Sequence, residues 1–164
     1  MFTRILVPTD FSAHSAAALD YARGVARRFG ASVHLLHVVE DQLVTGPFGS
    51  QVHVPNTSGT LTSLLQEATV RLEESLAEDD RVQLRATGEA MVGTAARTIV
   101  EYAGDNGFDL IVMGTHGRTG LTHLVMRSVA EHVVRSAPCP VLTVRQAPAP
   151  VALPVGSGQR VAIA

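Results

Sequence analysis

The apolar positions of this chain fall into two rhythms. Ile5-Leu6-Val7 and Leu110-Ile111-Val112-Met113 are unbroken apolar runs, and Val33 to Val39 is apolar at Leu35, Leu36, Val38 and Val39. Such runs suit strands covered on both faces, as in a parallel sheet. Between them, apolar residues recur at helical spacing. Ala18, Leu19, Ala22, Val25, Ala26 and Phe29 form one such series, opened by a cap at Thr9 to Ser12 and ended by Gly30. A second helix is predicted from a cap at Thr62 or Ser63 to about Ala77, through Leu64, Leu65, Ala68, Leu72 and Leu76. A third starts at Thr94 and runs through Ile99, Val100 and Ala103, and a fourth passes through Val129, Val133 and Val134 until Pro138 halts it. Val141 to Val144 reads as the last strand. Val82, Leu84 and Ala86 alternate with Gln83 and Arg85, which predicts a short strand at a less covered edge, paired with the second strand. Five strands and four helices thus alternate, and the right-handed crossover rule makes the strands parallel. The expected class is α/β, a doubly wound parallel sheet with helices on both faces.

Two stretches break the pattern. Glu40 to Gly59 is rich in Gly, Pro, Ser and Asn with isolated valines, and is read as a mobile surface loop. Residues 146–164 are Ala, Pro, Val and Gly, with room for a short strand at Val161-Ala162-Ile163, and are read as an appendage to a domain spanning residues 1–145. The length of 164 residues leaves no room for a second full domain. No apolar run reaches the roughly 18 residues of a membrane span, and a strand begins near Thr3 where a signal peptide would lie, so the expected compartment is the cytoplasm.

Composition removes whole classes of chemistry. All 13 basic residues are Arg, which excludes a lysine Schiff base and a Walker A lysine. The net charge of -2, with basic residues scattered, gives no footprint for nucleic acid or an anionic membrane. The single cysteine, Cys139, sits between Pro138 and Pro140 and is expected to pack rather than react. His34 and His37 are three apart on a strand and so face opposite ways, which excludes them as joint metal ligands. His14, His53, His123 and His132 form no cluster.

In an open α/β sheet, ligands bind beyond the carboxyl ends of the strands where the strand order reverses. The loops there begin at Pro8, Val38 and Gly114. Gly114-Thr115-His116-Gly117-Arg118-Thr119-Gly120 follows an apolar strand with three glycines, a His and an Arg. Such glycines let backbone amides approach an anion, and Arg118 adds a fork of donors suited to phosphate oxygens. Ser128-Val129-Ala130-Glu131 has the spacing of a capping box, placing a partly positive helix terminus nearby. The competing reading is a tight turn and an ordinary cap. Asp10, at the mouth of the first strand, is expected to accept hydrogen bonds from a ribose or base or to coordinate a metal, with satisfaction of turn amides as the alternative. His116 has no second acid or base at useful spacing, and no catalytic residue is assigned.

The stretches Ile5-Leu6-Val7-Pro8-Thr9-Asp10-Phe11-Ser12, Leu36-His37-Val38-Val39, Asp109 to Arg118, and Ser128 to Glu131 ahead of Cys139-Pro140-Val141-Leu142 resemble the universal stress protein family. The resemblance implies a five-stranded parallel sheet of order 3-2-1-4-5, commonly in a homodimer. It implies adenine and ribose around Pro8, Thr9, Asp10 and Val38, and phosphates around the loop Met113, Gly114, Thr115, His116, Gly117, Arg118 and Gly120. Ser128 and Val129 would stand at the helix start. Nucleotide-binding members carry Gly, two residues, Gly, nine residues, then Gly and Ser or Thr; here Gly114, Gly117 and Ser128 match, and Arg127 replaces the third glycine. Its side chain would either fill the volume of a phosphate or swing outward and donate to one. The implied ligand is ATP, ADP or AMP, with Mg as a companion of a triphosphate. The implied function is a nucleotide-binding regulatory stress-response module without required catalysis. Alternatives are a dimeric scaffold that has lost the site, and a slow ATP hydrolase. The first turn carries neither the His-x-Gly-His of nucleotidyl transferases nor the Ser-Gly-Gly of ATP pyrophosphatases. In the implied order Val141 to Val144 is an edge strand, and pairing across a twofold axis, or cover by Gln159 to Ile163, would satisfy it.

Overall fold

The computed structural model describes residues 1–40, 43–45, 51–53, 58–115 and 129–145. β1 (Arg4–Pro8), α1 (Ala13–Phe29) and β2 (Ser32–Val39) open the chain. A small ribbon of β3 (Leu43–Thr45) and β4 (Gln51–His53) follows, then α2 (Ser58–Ser75), α3 (Glu78–Gln83) and β5 (Thr87–Val92). The chain continues through α4 (Ala95–Asp105), β6 (Leu110–Gly114), α5 (Val129–Ser136) and β7 (Val141–Val144). The main sheet is ordered β5-β2-β1-β6-β7 with every pair parallel. Counted among themselves these strands run 3-2-1-4-5, the order the family resemblance implies.

The unbroken apolar runs have a direct cause, because successive residues of each strand enter different cores. Ile5, Val7, Val33, Leu35 and Val112 meet Ala18, Leu19, Ala22 and Ala26 of α1 and Leu72 of α2. Leu6, Leu36, Ile111 and Met113 meet Ile99 and Ala103 of α4 and Ala130 and Val133 of α5. Ile5, Leu6 and Ile111 are fully buried, each contributing about 1.5–3 kcal/mol of transfer free energy. α1 is bounded as its sequence predicts: the Ser12 side chain accepts from the Ser15 amide at 3.3 Å, and Gly30 takes the left-handed conformation at φ 70°.

The third strand of the sheet differs from expectation. Its partner is β2, as predicted, but the strand is Thr87–Val92 rather than Val82 to Ala86. Val82 lies on α3 and is 70% exposed, while Leu84 and Ala86 are buried in the connection that follows. The alternation that imitated a strand comes from a short helix running into an irregular segment, with Arg85 at φ 47°. Asp80 decides the matter: buried, it accepts from the Ala77 amide and from Arg23 of α1, which fixes residues 77–83 as a helical turn stapled to α1. The true strand escapes a hydrophobic pattern because Thr87, Gly88 and Glu89 are exposed at the sheet edge.

Within Glu40 to Gly59, read from sequence as a loop, β3 and β4 pair antiparallel, Leu43 with His53 and Thr45 with Gln51. α2 begins at Ser58, ahead of the predicted cap at Thr62 or Ser63, and its first turn holds a single apolar residue, Leu61. The predicted cap Ser128 and the segment 146–164 lie outside the described residues. Among the described residues no helix is long and apolar enough to cross a membrane.

Candidate functional site: the carboxyl end of the β1–β6 border

β1 sits between β2, which the chain forms next, and β6, which it reaches much later, so the strand order reverses at the β1–β6 border. β1 and β6 pair at Ile5–Leu110 and Leu6–Ile111, and both strands run on to Pro8 and Gly114. The exits of β1, β2 and β6 and the start of α5 therefore meet at one end of the sheet.

The turn after β1 is wound tightly by its own side chains. The Thr9 amide donates to the Leu36 carbonyl at 2.9 Å, and Thr9 Oγ1 accepts from the Phe11 amide at 3.0 Å while donating to Ser15 Oγ at 3.1 Å. Asp10 Oδ1 accepts from the Ser12 amide at 3.1 Å, so the turn-satisfying role of Asp10 is realised. Phe11 is held at φ 61°, a left-handed conformation that costs a residue with a Cβ about 1–2 kcal/mol. Its ring packs with the His37 ring, centroids 4.5 Å apart, and with the Arg71 guanidinium 4.2 Å from its centroid. His37 Nδ1 in turn contacts the Thr9 carbonyl at 2.8 Å.

At the exit of β6, glycine is required for a reason other than anion approach. A Cβ on Gly114 would stand 3.0 Å from the backbone carbon and oxygen of His14, so the end of β6 presses directly on the first turn of α1. The Thr115 amide donates to the Val144 carbonyl at 3.1 Å and so belongs to the sheet. Any cradle of amides must begin beyond it.

Of the residues singled out from sequence, Pro8, Thr9, Asp10, Val38, Gly114, Thr115 and Val129 all lie at this end of the sheet. Met113 is 5% exposed and packs, with half-buried Val38, into the core under α4 and α5. His116, Gly117, Arg118, Gly120, Arg127 and Ser128 lie outside the described residues. Sequence reasoning missed the cluster of His37, Phe11 and Arg71; the only local signal was an aromatic residue in a turn of polar ones. It also missed Glu40, whose carboxylate accepts from the Ala95 amide at 3.0 Å and thereby caps α4 from the end of β2.

His34 and His37 point to opposite faces, as strand spacing requires. His34 Nδ1 contacts Thr87 Oγ1 at 2.7 Å and Nε2 contacts the Tyr102 hydroxyl at 2.8 Å, on the α4 side. Burial pushes the His34 pKa down, opposed by the charge of Glu89 and assisted by that of Arg4. Burial, with the hydrogen bond to Glu89, pushes the Tyr102 phenol well above its ordinary range. Cys139 is half-buried against the second core, and burial raises its pKa, with the charge of Asp109 adding to the effect. Among the described residues no group of three or more His, Cys, Asp or Glu side chains could hold a metal ion.

Comparison with known proteins agrees with this geometry. Residues 1–145 match the model of the Universal stress protein family. Universal stress protein MJ0531 of Methanocaldococcus jannaschii is 35% identical over 151 residues, covering 89% of this chain and 84% of that protein. The solved structure of MJ0577, from the same organism, superposes with a TM-score of 0.74 at 30% identity, over 91% of this chain and 99% of that one. A universal stress protein from Archaeoglobus fulgidus, solved in complex with dAMP, shares the fold at a TM-score of 0.52 and 22% identity, over 87% of this chain and 97% of its own.

Proposed function

The chain belongs to the universal stress protein family, and we propose that it binds an adenine nucleotide at the β1–β6 border and acts as a regulatory module rather than as a catalyst. The observation that carries the reading is the reversal of strand order at that border, with the Asp10 carboxylate at its mouth and Gly114 seated against α1. A fold neighbour that binds dAMP supports the capacity of this architecture for an adenine ligand.

In this reading Pro8, Thr9, Asp10 and Val38 surround adenine and ribose, while His116, Gly117, Arg118 and Gly120 supply donors to the phosphates. Thr115 contributes its side chain rather than its amide. Arg127 and Ser128, with Val129 after them, meet the terminal phosphate at the start of α5. The ligand is ATP, ADP or AMP, and Mg accompanies the triphosphate. Titration calorimetry with all three against the wild type and Arg127→Gly tests this. Measurable heat from at least one nucleotide is expected, with the variant changing the ranking of ATP against AMP. No heat from any of them overturns the proposal and leaves the family's scaffold role. A time course of ADP release, with Asp10→Ala as control, separates binding from slow hydrolysis.

We also propose a homodimer through β7. Among the described residues β7 pairs only with β6, and its Val141, Leu142 and Val144 are half-exposed. A monomeric mass in light scattering at micromolar concentration overturns it.

A further inference from the structure

A concave site lies between α1 and α2, reaching the exit of β1 at Thr9 and Phe11. It is a cleft of about 310 Å³, at the lower end of the range for small-molecule pockets. Its floor is apolar, from Ala16, Leu19 and Leu35, and the Phe11 ring forms part of its wall. The two helices run the same way along it. Arg71 of α2 lies over Phe11 just before α1, and farther along the Arg23 guanidinium donates to the Ser75 carbonyl at 3.0 Å.

This alignment gives the cleft two electrical poles. At one pole stand the amino terminus of α1, capped by Ser12, and the Arg71 guanidinium. A helix amino terminus carries partial positive charge, so this pole is positive. At the other pole stand Glu74 and Asp20. Arg23 also lines the cleft, but its donors are consumed by Asp80, Asp20 and the Ser75 carbonyl. Arg71 and Glu74 are not consumed in this way. Among the described residues the ion pair of Arg71 is with Glu67 at 4.0 Å, and Glu74 has none. Helical rise puts about 5 Å between Arg71 and Glu74 along α2 and about 12 Å between Ser12 and Asp20 along α1.

We propose that the α1–α2 cleft binds a small amphoteric molecule, its carboxylate at Arg71 and Ser12, its ammonium at Glu74 and Asp20, and a short apolar stem over Leu19 and Leu35. Molecules from a chain-extended amino acid to a dipeptide have this form. The left-handed turn at Phe11 serves the site by setting its ring under Arg71, which holds the guanidinium at the cleft rather than in solvent. The site adjoins the proposed nucleotide site at Thr9, which lines the cleft, while Asp10, Val38 and Gly114 do not.

The test is an NMR titration of the full-length chain with γ-aminobutyrate and with dialanine, using acetate and propylammonium as single-ended controls. Saturable shifts of the Ser12, Ser15, Leu19 and Ser75 amides are expected with at least one amphoteric probe. Arg71→Gln and Glu74→Gln should each weaken it roughly tenfold, the effect of losing one charge-assisted contact. Both substitutions are at half-exposed or exposed helix positions, and unchanged amide spectra elsewhere confirm the fold of each variant. No saturable shift with either amphoteric probe overturns the proposal. So does acetate or propylammonium binding as tightly as the amphoteric probes, which reduces the cleft to a single-charge site. A nucleotide would report at Asp10 and Thr115, so failure of nucleotide binding leaves this test intact.

Discussion

The two ends of the sheet use aspartate differently. At the amino end, Asp109 accepts from the Thr3 amide at 2.8 Å, from Thr3 Oγ1 at 2.6 Å and from the Arg4 amide at 3.2 Å. Beside that end, Asp80 takes the forked guanidinium of Arg23, at 3.1 Å from Nε and 2.6 Å from Nη2, together with the Ala77 amide. At the carboxyl end, Asp10 accepts from the Ser12 amide of its own turn and stands beside a border where strand order reverses. Carboxylates of the first kind hold elements in register. A carboxylate of the second kind is placed where a fold of this class admits ligands, and substitutions at the two ends should separate stability from binding.

The largest effect is expected from Asp80→Ala. The Arg23 side chain is 20% exposed, and without Asp80 its remaining carboxylate partner is Asp20, which is 74% exposed. Breaking a largely buried pair from one side costs about 3 kcal/mol, which urea unfolding will read directly, with nucleotide affinity unchanged. A matching fall in affinity would deny the separation between the two ends. The same pair has a pH signature. Burial opposes ionisation of Asp80, but the Arg23 and Ala77 hydrogen bonds and the charges of Arg23 and Arg27 outweigh it, so its pKa lies below the ordinary carboxylate value. Its contribution is therefore present above the unfolded carboxylate pKa and is lost as pH falls through the lower folded one. The stability gap between wild type and Asp80→Ala should close on acidification. Asp109, depressed by its Thr3 and Arg4 hydrogen bonds against the same opposing burial, adds a second loss of the same sign.

Gly114→Ala comes next and crosses the two categories. A Cβ at 3.0 Å from the His14 backbone cannot be relieved by a side-chain rotation, and overpacking of this kind costs about 1–3 kcal/mol. Because the strain falls on the first turn of α1, which also fixes Ser12 and Ser15, affinity for nucleotide should fall along with stability. A variant that loses one without the other would show that β6 and α1 are not mechanically joined at this point.

Why some of this was legible and some was not follows from the same residues. Ile5 to Val7 and Leu110 to Met113 announce a two-faced core because each residue in turn meets a different helix layer. β5 was misplaced because an edge strand with Thr87, Gly88 and Glu89 needs little apolar character, while Val82, Leu84 and Ala86 supplied period-two alternation from a helix and a bend. The Asp10 turn was recognisable from residue types at adjacent positions. The cluster of Arg71, Phe11 and His37 was not, since it joins three elements far apart in sequence and depends on a left-handed φ at a phenylalanine. The Gly114 contact was hidden for a related reason: sequence shows that a glycine is present, not which atoms approach it.

Asp10→Ala sharpens the comparison from the binding side. The Ser12 amide bond is worth about 1 kcal/mol, so the stability effect should stay well below that of Asp80→Ala. Loss of a charged acceptor to a bound nucleoside should weaken nucleotide binding roughly tenfold, equivalent to about 1.4 kcal/mol. Calorimetry and urea unfolding on the same preparation give both numbers. If unfolding changes and affinity does not, Asp10 belongs with Asp80 and Asp109.

The smallest expected effect comes from His34, which tests whether acid sensitivity is confined to carboxylates. Tyr102 donates its single proton to Glu89 Oε2 at 2.7 Å, so it can only accept from His34 Nε2, and that nitrogen carries the imidazole proton. Neutral His34 is left with Nδ1 as an acceptor for the Thr87 hydroxyl. Burial lowers its pKa, so folding favours the neutral ring. The sign is that of a base with a depressed folded pKa: its contribution is complete above the unfolded histidine value of about 6.5 and declines as pH falls below it. Wild type should therefore lose more stability than His34→Gln between about pH 7.5 and pH 5.5, a window in which Asp80 and Asp109 stay ionised. Parallel stability curves for the two proteins across that window would remove His34 as a source of acid sensitivity and leave the loss wholly to the carboxylates at the amino end.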